Sequence, residues 1–246
     1  MFPQSTSDLH PLIRKLETIV DLSDEERDAV LRLPLTVRAL KADQDIVRDQ
    51  DRPSQCCAIL DGFAFRYKML AGGKRQILSF HIPGDIPDLQ SLHLEVMDHS
   101  LGTLVATKVA FIPHGAVRAF VRAHPRIGDV FWRDTLIDAA VFREWVTNVG
   151  RREAYGRIAH IFCELFVRLS AVGLNNGRSY EMPITQAELA DATGLSTVHV
   201  NRTMQELRGN GLIKTNNGSV IIKDWDGLRE AAQFDPTYLH LQKRAA

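Results

Sequence analysis

Cysteine is scarce in this chain, three residues in 246, and the scarcity removes several chemistries. The count is odd and no pair has a zinc-ligand spacing, so neither a disulfide framework nor a zinc ribbon is expected. Cys56 and Cys57 are adjacent, and neighbouring residues of a strand point to opposite faces, so the two are not placed to chelate one ion together. With Cys163 they read as small core residues in a reducing compartment. Long apolar runs are missing too: nothing approaches the ~20 residues a membrane span requires. The opening MFPQSTSDLHPLIRKLE has no apolar segment of the secretory kind. The expected setting is cytoplasmic, with no membrane partner. Neither sign of charge is in excess, 30 Lys and Arg facing 30 Asp and Glu. Such a balance argues against indiscriminate coating of nucleic acid, while a local basic cluster can still meet phosphate. The length is ample for a core in each of two domains.

Against these absences stands one dense stretch, ITQAELADATGLSTVHVNRTMQELRGNGLI at 184–213. Thr185 and Glu188 have the spacing of a capping box that opens a helix. Leu189 and the small Ala190 face inward, and Gly194 supplies the positive φ of a sharp inter-helix turn. Ser196 caps the next helix, whose Val200, Met204 and Leu207 recur on one apolar face. Its other face presents Thr197, His199, Asn201, Arg202 and Gln205, groups able to bond phosphates and base edges. Leu212–Thr215 and Ser219–Ile222 follow as short strands around Asn217-Gly218, a strong hairpin signal. Helix-turn-helix followed by a hairpin is the order of a winged DNA-binding domain.

Upstream, Asp8–Val20 carries an apolar stripe of Leu9, Leu12, Ile13, Leu16, Ile19 and Val20, and Ser23–Glu26 is a second capping box before a helix ending at Pro34. From Leu35 to about Pro113 the pattern turns to short strands: Ile46-Val47, Cys57–Leu60, Phe63–Met69, Gln76–Phe80 and Val105–Ile112. Turn signals at Asp61-Gly62 and Ala71–Gly73 separate them. That spacing suggests a jelly-roll barrel. His124-Pro125 opens a long helix in which Ile127, Val130, Ile137, Val141 and Trp145 form a seam, interrupted by the polar Asp134. The seam packs on the barrel or pairs with its own copy; the second is favoured, because reading DNA as two half-sites requires two recognition helices. Gly150 ends this helix, a second runs from about Glu153 to Val172, and Gly173 stops it. Trp225, Leu228, Ala231 and Ala232 mark a final amphipathic helix on the winged domain. The expected fold class is α+β: 1–122 a jelly-roll sensor barrel with N-terminal helices, 123–150 a dimerisation helix and hinge, 151–246 a winged helix-turn-helix domain.

A barrel, a long helix and a winged helix-turn-helix in that order resemble the Crp/Fnr superfamily of bacterial transcription regulators. The likeness is most specific at GLSTVHVNRTMQELRGNGLI and WVTNVGRREAYGRIAHIFCEL, and LDGFAFRYKMLAGGKRQILSFHIPGD is similar to the family's sensor barrel. The resemblance implies a homodimer on a near-palindromic site in double-stranded DNA, and contact with RNA polymerase. It implies that Arg202 is the base-reading arginine, with Asn201 and His199 beside it. Val198 occupies the place where many relatives carry a base-reading glutamate; valine cannot accept a hydrogen bond from cytosine but can touch a thymine methyl. Thr185, Ser196 and Lys214 are expected on phosphates, which position rather than specify.

In the sensor, Pro83–Leu89 resembles the start of the family's cyclic-AMP cassette, with Gly84 and Asp85 where relatives have Gly-Glu. The phosphate partner is missing, since no arginine lies between Gln76 and Val117, and a buried phosphate without a paired charge is strongly disfavoured. The effector is therefore not expected to be cyclic AMP, and no cofactor is expected. An iron–sulfur cluster, as in other relatives, needs more cysteines than the chain has. His81, His93, His99 and His114 are conceivable haem ligands, each more ordinary as a hydrogen-bonded histidine. Two other functions compete. A jelly-roll metal enzyme needs converging histidines and a carboxylate, and His93-Leu94-Glu95 lacks the second histidine, so no metal site or catalytic residue is assigned. A protein-docking module would use the winged domain without reading DNA.

Overall fold

The computed structural model describes residues 10–216 and 218–241. Asp8 and Leu9 of the expected first helix, and Asn217 of the hairpin turn, lie outside the described residues. Two compact units emerge: one takes in the described residues up to Lys68 and Phe80–Asp138, the other Met69–Ser79 and Ala139–Leu239.

In the first unit α1 (His10–Glu17) and α2 (Asp24–Leu31) precede strands β1 (Thr36–Leu40), β2 (Asp45–Val47), β3 (Gln55–Asp61) and β4 (Ala64–Met69); β5 (Arg75–His81) begins in the Met69–Ser79 segment grouped with the second unit. A 3-10 turn at Leu89–Leu92 leads to β6 (Ser100–Thr103) and β7 (Thr107–Pro113). The Ser23–Glu26 capping box forms as its spacing predicts, with Glu26 N donating to Ser23 Oγ and Ser23 N to Glu26 Oε2. The strands make two sheets, ordered β1-β7-β3 and β2-β6-β4-β5. β3 explains the arrangement. Its period-two alternation sends Cys57 and Ile59 inward with Val109 and Phe111, against Val47, Ala64 and Leu101 of the other sheet. Cys56, Ala58 and Leu60 face the opposite way, into a second core with Leu12, Leu16, Val117, Phe120 and Phe131. Both faces of β3 are covered, which is why it reads as a continuous apolar run. The cysteines divide accordingly, one per core. Burial pushes the Cys56 thiol up to about 12 and Cys57 well above its ordinary value, so neither offers a thiolate.

The helix α3 (His114–Ala123) escapes the sequence pattern. It begins on His-Gly and anchors itself on just two buried residues, Val117 and Phe120. Then α4 (Pro125–Arg151) runs for 27 residues, with Pro125 at its first position. Here one expectation is corrected. Ile127, Val130, Val141 and Trp145 are buried within the chain, and Ile137 packs against the second core. The expected dimer seam is therefore this chain's own packing face. At ~100° per residue, the opposite face of α4 carries Trp132, Leu136 and Val146, which are 66, 50 and 73 % exposed.

In the second unit α5 (Ala154–Ala171) buries Ile158, Phe162, Leu165 and Leu169. Strands β8 (Asn175–Asn176) and β9 (Ser179–Glu181), helices α6 (Gln186–Thr193) and α7 (Thr197–Gly209), and strands β10 (Ile213–Asn216) and β11 (Ser219–Ile222) follow. The sheet order is β10-β11-β9-β8, antiparallel throughout. Finally α8 (Trp225–Ala232), capped by Asp224, buries Leu228 and Ala232. This is a winged helix-turn-helix. Among the described residues no helix is long and apolar enough to cross a membrane.

Candidate nucleic-acid interface

The turn between α6 and α7 follows from three local devices. Thr185 and Glu188 close a reciprocal capping box that starts α6. Gly194 ends it at φ 67°, in the left-handed region a side chain resists. Ser196 then accepts from His199 N at 3.2 Å and starts α7. Val200, Thr203, Met204 and Leu207 turn inward and are buried, so the helix can present its other side only to solvent.

That side carries most of the expected DNA contacts. Thr197, Arg202 and Gln205 are exposed, His199 and Asn201 half-buried. Val198 is 79 % exposed, an apolar side chain left in water at the start of the helix. Arg202 makes no hydrogen bond or ion pair among the described residues, so its guanidinium fork is available to a partner. Lys214, exposed on β10, is likewise unengaged among them. Ser196 uses its oxygen as the cap acceptor and keeps a hydroxyl proton to donate. Thr185 differs, because its hydroxyl donates to Glu188 Oε2 at 2.8 Å while accepting from Glu188 N. Its proton is taken, and the expected phosphate contact would require breaking the cap. Gln186 is a residue that sequence reasoning passed over: its Oε1 accepts from Asn201 Nδ2 at 3.1 Å.

The barrel cassette is engaged by the chain itself. Gly84 sits at φ 101°, with its N donating to Ile59 O at 2.7 Å. A Cβ there would lie 2.5 Å from Pro11 O and 2.7 Å from Lys15 Cβ, so α1 rests directly on this turn. The buried Asp85 accepts from Ile82 N at 3.0 Å. Its other oxygen lies 3.1 Å from Lys15 Nζ, which also reaches Asp134 of α4 at 3.3 Å. Gly84 and Asp85, expected to face a ligand, thus serve intramolecular contacts. A buried cation is present after all, upstream of the Gln76–Val117 stretch. Arg66, only 3 % exposed, donates to Pro87 O through Nε and Nη2 and to Asp138 at 2.6 Å. Its charge is already matched. Burial, with Arg66 nearby, holds His81 down to about 4, and burial lifts Asp88, which accepts from Cys57 N at 2.7 Å, to about 6. No group of three or more metal-ligating side chains converges among the described residues.

Comparison with known proteins matches both halves separately. Residues 37–124 fit the model of the cyclic nucleotide-binding domain, and 156–231 that of the Crp-like helix-turn-helix domain. The chain is 24 % identical to the transcriptional activator protein FnrA of Stutzerimonas stutzeri, over 85 % of each chain. It is 25 % identical to the nitrogen fixation regulation protein FixK of Bradyrhizobium diazoefficiens, over 74 % of this chain and 75 % of that one. Among solved structures, FixK2 of Bradyrhizobium japonicum superposes with a TM-score of 0.74 at 20 % identity, covering 81 % of this chain and 98 % of the other. That last likeness speaks to fold alone. With a nucleotide-binding-type barrel, a long helix and a Crp-like winged head in sequence, the chain belongs to the Crp/Fnr superfamily of transcriptional regulators.

Proposed function

We propose that the protein works as a homodimer in the cytoplasm, reading a near-palindromic promoter site with one α7 in each half-site and acting on RNA polymerase there. The observation that carries the reading is the free Arg202 fork beside the exposed Val198, on a helix whose other face is fully packed. Arginine bonds guanine O6 and N7 together, and valine meets the thymine methyl. In such dimers the two helices lie about 34 Å apart, one turn of the duplex. Support for the dimer comes from Trp132, Leu136 and Val146, a line of apolar side chains on the outer face of α4. A second copy of this helix is the partner that would cover it.

The test compares two variants on a selected promoter fragment by fluorescence anisotropy. Arg202→Ala should lose about 1–3 kcal/mol on the preferred site and relax discrimination at one base pair. Lys214→Ala should weaken all sequences alike and reduce the salt dependence by about one phosphate contact. Uniform weakening by both would make Arg202 a phosphate contact and not a base reader, and no binding of the wild type to any fragment at low salt would leave the winged domain as a protein-docking surface.

A further inference from the structure

Three side-chain amides form a chain across the outer surface of the helix-turn-helix. Gln205 Nε2 donates to Asn201 Oδ1 at 3.0 Å, and Asn201 Nδ2 donates to Gln186 Oε1 at 3.1 Å. Asn201 and Gln205 lie one turn apart on α7, and Gln186 is the first residue of α6. Asn201 is thereby held from both sides, by its own helix and by the helix that crosses in front of it.

An amide carries two N–H donors and two acceptor lone pairs. The chain uses one of each on Asn201, so one donor and one acceptor remain. Reversing all three amides leaves the same remainder, so the conclusion does not depend on which end of each amide is nitrogen. In the major groove adenine offers N7 as acceptor and N6–H as donor, whereas guanine offers two acceptors. The remainder on Asn201 complements adenine and mismatches guanine.

We propose that Asn201 reads an adenine in the same half-site as the guanine held by Arg202, and that Gln186 and Gln205 are positioning residues that fix its amide plane. An unrestrained asparagine would have to give up its χ2 freedom on binding; here that freedom is already spent in the free protein, which sharpens discrimination. The proposal rests on α7 being the DNA-reading helix and adds the identity of a second base and the two residues that enforce it.

The experiment selects bound fragments from random double-stranded DNA with the full-length protein. The selected site and its single-base changes are then titrated for wild type, Asn201→Ala, Gln205→Met and Gln186→Ala. Methionine keeps the length of the Gln205 stem and removes its amide. The wild type should select an adenine as well as the Arg202-dependent guanine, and prefer it about tenfold or more over other bases. Asn201→Ala should abolish that preference. Gln205→Met and Gln186→Ala should each reduce it about threefold or more while leaving the guanine preference intact, a selectivity that general loosening of the helix would not give. If the wild type enriches no motif, the DNA-reading assignment itself fails. If it enriches a motif without the adenine, Asn201's role is overturned while that assignment stands. If the adenine preference survives in both glutamine variants, their positioning role is overturned.

Discussion

The barrel matches a cyclic nucleotide-binding domain, yet its cassette is filled by the chain, and the two facts make opposed predictions for added cyclic AMP. To reach Gly84 and Asp85 a nucleotide must first lift α1 and part Lys15 from Asp85 and Asp134, contacts of 3.1 and 3.3 Å between largely buried groups. Breaking a buried pair from one side costs about 3–5 kcal/mol. The incoming phosphate would find Arg66 already bound to Asp138 and Pro87 O, and Lys15 could turn to it only by giving up its contacts with Asp85 and Asp134. A genuine site with a dissociation constant of about 10 μM would, at about 1 mM ligand, stabilise the fold by roughly 2.7 kcal/mol. For a chain of this size that raises Tm by about 5–10 °C. Thermal melts with and without 1 mM cyclic AMP are therefore decisive, and the expected difference is under about 0.5 °C. Lys15→Met provides the positive control, because it strands Asp85 and Asp134 and should lower stability by about 3 kcal/mol. A rise of several degrees in the wild type with cyclic AMP would refute the reasoning and show that α1 yields.

Four further outcomes follow from the same structure. Gly194→Ala meets nothing nearer than Val149 Cγ1 at 3.8 Å, so only left-handed backbone strain remains and urea melts should show a loss of about 1–2 kcal/mol. Gly84→Ala adds a backbone collision to its positive φ and should lose clearly more, about 3 kcal/mol or above. Asp88 is lifted from 3.8 to about 6 in the fold, so its charged form destabilises the native state, an effect absent below pH 4 and complete above pH 6. Asp88→Asn keeps an acceptor for Cys57 N and should gain up to about 3 kcal/mol at pH 7.5, the gain vanishing by pH 4 in urea midpoints measured across that range. Since His81 works the other way, losing stability as pH falls from 6.5 toward about 4, the two proteins are compared at matched pH. If the proposed dimer forms through the outer face of α4, Trp132→Glu should give a monomer in sedimentation and weaken promoter binding at least tenfold, because a carboxylate buried between two copies has no partner; an unchanged dimer would move the interface elsewhere.

The winged head was legible in the sequence because its signals are local. Two caps, one left-handed glycine and a hairpin lie within forty residues of one another, and each names its own position. The barrel strands were partly legible. β3 and β7 are long and apolar, whereas β2 is the three-residue Asp45–Val47 and β6 the four-residue SLGT, too short to show a period. α3 fails for the same reason, with two anchors where a helix usually shows four.

The expectations for the cassette and for the apolar seam of α4 fail for a different reason. A periodic apolar stripe states that a helix face is covered, never by what, and α4 has two such faces. The stripe with the cleaner spacing, Ile127 to Trp145, belongs to the chain's own cores, as a more regular pattern should when it must fit a fixed interior. The outer line is broken by Ala139, Arg143 and Gly150, which interrupt its apolar pattern. The missing cation was a matter of chain distance: Lys15 and Arg66 stand 70 and 19 positions before Asp85, and nothing in either neighbourhood points to a shared cluster. Both errors concern pairings across long loops, where sequence supplies composition and only the fold supplies geometry. Arg202 escapes this ambiguity, because its proposed role depends on having no partner inside the protein, and the caps and buried face of α7 arrange that within one helix.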